Sequence, residues 1–366
     1  MSSGRGAARG AQLALLGWGA GQGITLAAYI VLAHLLAPST FGSFTAGTIL
    51  IAFGFLFAES GTTAALISRH DRIEEAASSA FFWLVASGTV LSLVSLACSP
   101  LVAAFFDNNE AGKVAAALSG WLLLHSLPIV PDALLQRRAS VARRVAVDPL
   151  GALAFAGVSV AACEAGAGIW GLVAGIYASE LVEVCASWGF ARFRPRWGLA
   201  SRAMWREIAA FARPVLGSEI LRRVAGQLDV IMLGRFSSAA ALGQYRNGFR
   251  LAVQPVNAFV DVGAYVALPK LARMAREPQR LNAAVKRLYR LALGLGVPLS
   301  LALVPLGVPT AVLLLGDRWR PAGHVIACLW GLMLGGAIGS VAAESAKAVG
   351  RPGALVRIQG LSLAVT

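Results

Sequence analysis

The chain has 366 residues, 57% of them hydrophobic and 14% charged, and a formal net charge of +14. A soluble domain carries about 25% charged residues, so this balance excludes an ordinary soluble enzyme. The positive charge does not point to nucleic acid, because the basic residues fall in short stretches between long apolar runs.

In chain order the runs give ten complete spans, roughly 11–37, 44–67, 79–106, 114–135, 147–163, 167–190, 214–236, 241–269, 291–316 and 321–345. Each approaches or exceeds the length of about 20 apolar residues that crosses a bilayer. An eleventh begins near Gly353 and meets the chain end at Thr366. Arg5 and Arg9 before the first run resemble the start of a signal peptide, but so many spans follow that the first reads as a retained helix. The expected fold class is an all-α polytopic membrane protein. Its expected parts are a six-helix bundle over 1–190, a basic cytoplasmic linker over 191–213, and a second bundle over 214–366. That second bundle ends after about four helices and part of a fifth.

Loops following even-numbered spans, together with Arg5 and Arg9, hold 24 basic residues, whereas the other side holds only Lys113, Arg318 and Arg320. The asymmetry supports the span count and places the N-terminus on the cytoplasmic side. The basic stretch 270–290 can also lie along the membrane surface, facing anionic headgroups. Cys98, Cys163, Cys185 and Cys328 form no CxxC pair. His34, His70, His125 and His324 are scattered, with no HExxH, so no metal, disulfide framework or cofactor is expected.

Residues 29–48 and 230–249 align at an offset of 201, with Ile30, Leu32, Gly42 and Gly47 meeting Ile231, Leu233, Gly243 and Gly248. Both segments are a span, a short outside turn and the next span, and six spans separate them. The two copies therefore have the same orientation, as in transporters built from parallel repeats.

The seventh span carries unusual charge. On one helix, Glu219, Arg222, Arg223, Gly226 and Asp229 fall within an arc of about 120°, with apolar residues opposite. Charge at the bilayer centre costs about 2.5–3.5 kcal/mol and usually marks function. Arg235 lies off this arc near the outer end and can snorkel. Glu219 also has ion-pair spacing to Arg222 and Arg223. The next span adds Arg246 and Arg250 at i,i+4. Arg222, Arg223, Arg246 and Arg250 then outnumber Glu219, Asp229 and Asp261, and an arginine-rich cavity suits phosphate or pyrophosphate. In the first half, Glu59, Asp132, Glu180 and Glu183 stand as coupling or ion-pair positions.

The segment LAHLLAPSTFGSFTAGTILIAFGFLFAESGTTAALISR resembles the opening of polysaccharide-biosynthesis flippases, the Wzx-like branch of the MOP exporter superfamily. DALLQRRASVARRVAVDPLGALAFAGVSV, QLDVIMLGRFSSAAALGQYRNGFRLAVQPVNAFV and LLGDRWRPAG resemble the same branch. The resemblance covers about residues 12–345. It implies two six-helix bundles around a central cavity, alternating access, and export of an oligosaccharide on undecaprenyl pyrophosphate. It also implies cationic cavity residues, here Arg222, Arg223, Arg246 and Arg250, and contact with membrane lipids, a polysaccharide polymerase and export machinery. Such families usually have 12 to 14 spans, so this chain reads as shorter than its relatives. A small-molecule antiporter of the same superfamily is the nearest alternative, but the excess of arginine over acid opposes cationic cargo. A membrane glycosyltransferase needs more outside carboxylates than DNNEAGK and DRWRP supply, and a polymerase needs a large outside loop.

Overall fold

The computed structural model describes residues 2–59, 62, 63, 66, 71–137, 141–253 and 278–329. Every regular element among them is helical. The second half of the expected eighth span, most of the tenth, and everything after Leu329 lie outside the described residues. The chain divides into two compact units, Met1–Leu242 and Gly243–Thr366.

In the first unit, α1 covers Ser2–Leu35 and α2 covers Pro38–Gly47. Pro38 suits the first helical turn, where its missing N–H costs nothing. Thr48 separates α2 from α3, Ile49–Glu59, and its Oγ1 donates to Thr45 O at 2.8 Å. Next come α4 (Ile73–Phe106), α5 (Asn109–Ser126), α6 (Ile129–Arg137), α7 (Val141–Glu164) and α8 (Ile169–Ala191). A single turn of 3-10 helix, Trp197–Leu199, leads into α9 (Arg202–Ala225), and α10 covers Leu228–Phe236. The helix over 239–253, α11, begins here and continues into the second unit. There α12 covers Pro278–Leu315 and α13 covers Arg320–Cys328.

Among the described residues five stretches are long and apolar enough to cross a membrane: Ile73–Phe106, Asn109–Arg137, Ala146–Glu164, Ile169–Ala191 and Gly296–Leu315. Gly19–Leu35 is a shorter apolar helix. Four boundaries differ from the hydropathy reading. Helix α4 starts at Ile73, with Glu74 and Glu75 in its first turn, where carboxylates complement the helix dipole. The fourth span is broken at Pro128 into α5 and α6, since proline cannot donate within the helix. The seventh is also two helices. It starts at Arg202, inside the stretch expected as linker, and breaks at Gly226–Gln227. Finally, residues 278–290 run straight into α12, so Arg280, Lys286, Arg287 and Arg290 sit on the extension of a span rather than on a separate surface helix. Hydropathy marks where the apolar run ends, whereas backbone hydrogen bonding carries a helix on into the headgroups.

Small residues let these helices approach closely, the usual device where lipid removes the hydrophobic drive to associate. A core at one end of the first unit joins Ala76, Ala77, Ala80 and Leu84 of α4 to Val130 and Ala133 of α6, and to Met204 and Ile208 of α9. A second core joins Ala46, Val102, Phe106, Ala111, Ala115, Val230 and Leu242.

The internal repeat is visible as recurring packing. Gly47 of α2 lies against Ala111 O and Val114 of α5, and Gly248 of α11 lies against Ala322 O and Val325 of α13. Gly112 touches Ser99 O and Ala103 on α4, and Gly323 touches Gly307 O and Val308 on α12. Each unit thus holds a long helix, a tight turn and a second helix whose start seats a glycine of the preceding hairpin.

Candidate functional site

The buried polar chemistry of the first unit gathers on one face of α8. Glu180, Glu183 and Ser187 are spaced i, i+3 and i+7, which stacks them on one side. Glu180 is only 4% exposed. Its carboxylate accepts a 2.7 Å hydrogen bond from Trp121 Nε1 and lies 3.0 Å from His125 Nδ1. Trp121 and His125 are themselves i,i+4 on α5, so one helix face presents both partners of Glu180. Phe55 of α3 closes the group, its ring centroid 4.7 Å from Trp121 and 4.3 Å from His125.

One turn further along, Glu183 Oε1 accepts from Ser179 Oγ at 3.0 Å and rests against Gly151 of α7. A side chain at 151 would meet that carboxylate and force it to shift. Asp148, one turn earlier on α7, and His125 both lie within electrostatic reach of Glu183. Beyond it, Ser187 Oγ donates to Asp132 Oδ1 at 2.6 Å. Two neutral hydrogen bonds fix the register of α8 against α5 and the turn that follows it: Tyr177 OH to Ala117 O at 2.6 Å and Trp188 Nε1 to Leu127 O at 3.1 Å. The result is a group of carboxylates along one face of α8, Glu180, Glu183 with Asp148 nearby, and Asp132, with a single histidine. Buried carboxylates within apolar helices are suited to carrying a proton. Among the described residues no group of histidine, cysteine and carboxylate side chains has the arrangement of a metal site.

The structure thus brings Asp132, Glu180 and Glu183 into one region. The sequence reading missed His125, Trp121 and Asp148. Their signal was the i,i+4 spacing of Trp121 and His125 on an apolar helix, and it means something only once α8 is known to face α5.

The arginine-bearing segment is arranged differently from the expected single helix. Arg222 and Arg223 lie near the end of α9, Gly226 is in the turn, and Asp229 begins α10. The continuous 120° arc therefore does not exist as drawn, because the turn resets the helical phase between Arg223 and Asp229. Arg223 Nε is buried and makes no hydrogen bond among the described residues. Arg235 does reach the end of α10, its guanidinium 5.9 Å from the Phe105 ring centroid, a cation–π contact. In the second unit, Arg246 lies 5.8 Å from the Phe249 ring centroid, and Arg250 donates to Asn247 Oδ1 at 3.3 Å. Glu59, Glu219 and Arg222 sit on described helices, but their side chains lie outside the described set, as does all of Asp261.

The helical architecture, the apolar spans and the repeated hairpins define a multi-pass helical membrane protein. The chain belongs to the polysaccharide biosynthesis protein family, which it matches over residues 31–324. The succinoglycan biosynthesis transport protein ExoT of Rhizobium meliloti (strain 1021) is 23% identical over 299 residues, 82% of this chain and 60% of ExoT. The teichuronic acid biosynthesis protein TuaB of Bacillus subtilis (strain 168) is 22% identical over 282 residues, 75% of this chain and 57% of TuaB. The chain therefore spans about three-fifths of the length of these curated relatives. Among solved structures, the lipid II flippase MurJ in an inward closed conformation superposes with a TM-score of 0.78 at 11% identity, covering 95% of this chain and 78% of MurJ. An inward-facing multidrug resistance MATE transporter of the MOP superfamily gives 0.72 at 15% identity, covering 94% of this chain and 84% of the transporter. These structural likenesses bear on the fold.

Proposed function

We propose that the chain moves a lipid-linked oligosaccharide, carried on a polyprenyl pyrophosphate, across the bacterial cytoplasmic membrane for surface or exopolysaccharide biosynthesis. The family match over residues 31–324 carries this reading, and the MOP-type fold supports a transport role over a synthetic one. The N-terminus and the basic loops face the cytoplasm. Residues 1–190 and 214–366 form the two bundles that rock about the substrate path, and 191–213 joins them. The lipid tail stays in the bilayer while the headgroup crosses.

Arg222, Arg223, Arg246 and Arg250 hold the pyrophosphate. The buried Nε of Arg223, with no acceptor among the described residues, supports this, because a buried donor costs about 1–3 kcal/mol until an acceptor arrives. The carboxylates around Glu180, together with Glu59, Glu219, Asp229 and Asp261, couple the cycle to a cation or pair with the arginines. A polymerase and export machinery take up the product outside.

The test is the sidedness of the lipid-linked sugar in cells lacking this gene, with and without the chain restored. Accumulation in the cytoplasmic leaflet, relieved by the restored chain, is expected. Unchanged sidedness, in cells with no second flippase, would overturn the reading. Arg222→Ala with Arg223→Ala should lower export at least about tenfold at equal protein level, the loss of one charged hydrogen bond to substrate. Normal export by that double variant would remove the pyrophosphate role.

A further inference from the structure

A basic strap follows α8 and is pinned across the start of α4. Arg192 ends α8 in the left-handed region, with φ 50°. Arg196 N then donates to Ser78 Oγ at 3.3 Å, and Ser201 N donates to Ser79 Oγ at 2.9 Å. Arg196 also reaches Glu74 at 3.3 Å. Both serines lie on the first two turns of α4, so the strap is fixed at two points about one residue apart on that helix.

Beside the strap opens a cleft of about 560 Å³, lined by Phe82 and Trp83 of α4, Trp197 of the strap, and Arg202, Trp205 and Arg206 of α9. Its walls are ordered aromatic pairs. Trp83 and Trp205 stack at 4.3 Å, and Phe82 meets Trp197 edge-on at 4.5 Å. Yet Trp83 remains 46% and Trp197 75% exposed. Among the described residues no carboxylate lines the cleft. Arg202 and Arg206, at i,i+4, are exposed and make no ion pair among the described residues.

Its depth in the membrane follows from helix length. The 34 residues of α4 span about 51 Å at 1.5 Å each, against a hydrocarbon core of about 30 Å. Leu93, Leu96 and Leu101, all exposed on α4, belong to the hydrocarbon. Trp83, nearer the helix start, then stands at the interface, the level that tryptophan prefers. The strap lies on the basic, cytoplasmic side proposed above. A cleft with apolar aromatic walls and two guanidinium groups at its rim, with neither an ion pair nor an acid beside them among the described residues, fits a ligand that is anionic at one end and aliphatic at the other.

We propose that this cleft binds an anionic glycerophospholipid of the cytoplasmic leaflet. Its headgroup phosphate lies between Arg202 and Arg206, and its upper acyl carbons lie along Trp83 and Phe82. The lipid ties the strap, and with it the start of α9, to the membrane surface. This inference rests on the cytoplasmic placement of the basic loops but not on which sugar is exported.

The test is tryptophan fluorescence of the full chain reconstituted in phosphatidylcholine vesicles. A minor fraction of lipid is replaced by phosphatidylglycerol or phosphatidylcholine brominated near the headgroup end of the acyl chains. The part of the quenching that is lost in Trp197→Phe with Trp205→Phe reports the cleft. For that part, brominated phosphatidylglycerol should be preferred, and removing each arginine should cut the preference roughly fivefold. Arg202→Gln with Arg206→Gln should abolish it, while Arg202→Lys with Arg206→Lys should keep most of it. Equal quenching of the wild-type cleft by the two lipids would overturn the proposal, and that comparison stands even where the glutamine pair fails to fold. Retention of the preference by a folded glutamine pair would also overturn it. So would displacement of brominated phosphatidylglycerol by equimolar polyprenyl phosphate but not by unlabelled phosphatidylglycerol, which would give the cleft to the transported lipid. Such displacement would leave the flippase reading intact, whereas unchanged sidedness in cells would leave the cleft result intact.

Discussion

The hairpin α4–α5 of the first unit and the hairpin α12–α13 of the second solve one packing problem with different polar chemistry. In both, a glycine at the start of the second helix touches the backbone of the first, Gly112 on Ser99 O and Gly323 on Gly307 O. In both, an amide side chain satisfies an N–H of the second helix's first turn. Asn108 Oδ1 accepts from Ala111 N at 3.1 Å, and Gln244 Oε1 accepts from Ala322 N at 3.1 Å. Asn108 is local, three residues before the N–H it caps, and its Nδ2 reaches across to Ser43 Oγ at 2.9 Å. Gln244 comes from α11, and its Nε2 also donates to Arg318 O at 2.7 Å. Close backbone approach admits only small residues, so the glycines recur. An uncapped N–H needs only one acceptor, which can arrive from any direction.

Steric changes at the shared glycines should break this comparison most strongly. Gly112→Leu and Gly323→Leu should each destabilise by about 3 kcal/mol, since overpacking against backbone leaves no side chain to yield. Thermal unfolding in detergent would show both transitions lowered. A loss in only one variant would mean that the two hairpins are not equivalent.

The next effect belongs to the first unit alone. His125→Ala removes a partner of the buried Glu180 carboxylate and should cost about 2 kcal/mol, with Trp121→Phe costing about the same. Equilibrium unfolding of each single variant and of the pair, compared as a double-mutant cycle, should show coupling through Glu180. Additive losses would mean that the two side chains act independently of the carboxylate.

Cap removal should be smaller and should sharpen the local-versus-distant contrast. Asn108→Ala and Gln244→Ala should each cost about 1 kcal/mol. Amide hydrogen exchange should locate the loss at Ala111 in the first case, and at both Ala322 and the 317–319 turn in the second.

Smallest of all are the two cation–π contacts, exposed at Arg235 and half-buried at Arg246. Arg235→Ala and Arg246→Ala should each cost about 0.5 kcal/mol of stability. If Arg246 binds substrate, export falls well below wild type in that variant, whereas Arg235→Ala leaves export near normal. Transport assays at matched protein level would separate the two.

Several parts of the structure were legible before any coordinates. The apolar runs located α4, α5 with α6, α7 and α8, because a bilayer span is a local property of about 20 consecutive side chains. Alignment of Gly47 with Gly248 pointed to a repeat, and the structure seats the two glycines alike, against Val114 and Val325. The acids Asp132, Glu180 and Glu183 were recognised because carboxylates in apolar helices are costly. Their partners were not recognised. His125 looked scattered because its meaning depends on a contact with a residue 55 positions away. The arc drawn through Glu219, Arg223 and Asp229 failed because a helix-face argument assumes an unbroken helix, and Gly226 ends α9 within the apolar run.

The sequence by itself determined the class of protein, the approximate spans, the repeat and the asymmetry of basic residues between loops. These depend on hydrophobicity, small residues and charge counted along the chain, which need no knowledge of neighbours. Only the tertiary structure decided that Glu180 sits between Trp121 and His125 and that the 192–201 strap is pinned to Ser78 and Ser79. It alone decided, too, that the seventh span is two helices. A hydrogen bond acts over about 3 Å, so its partners are set by which helix faces meet, and that is fixed by packing rather than by order in the chain.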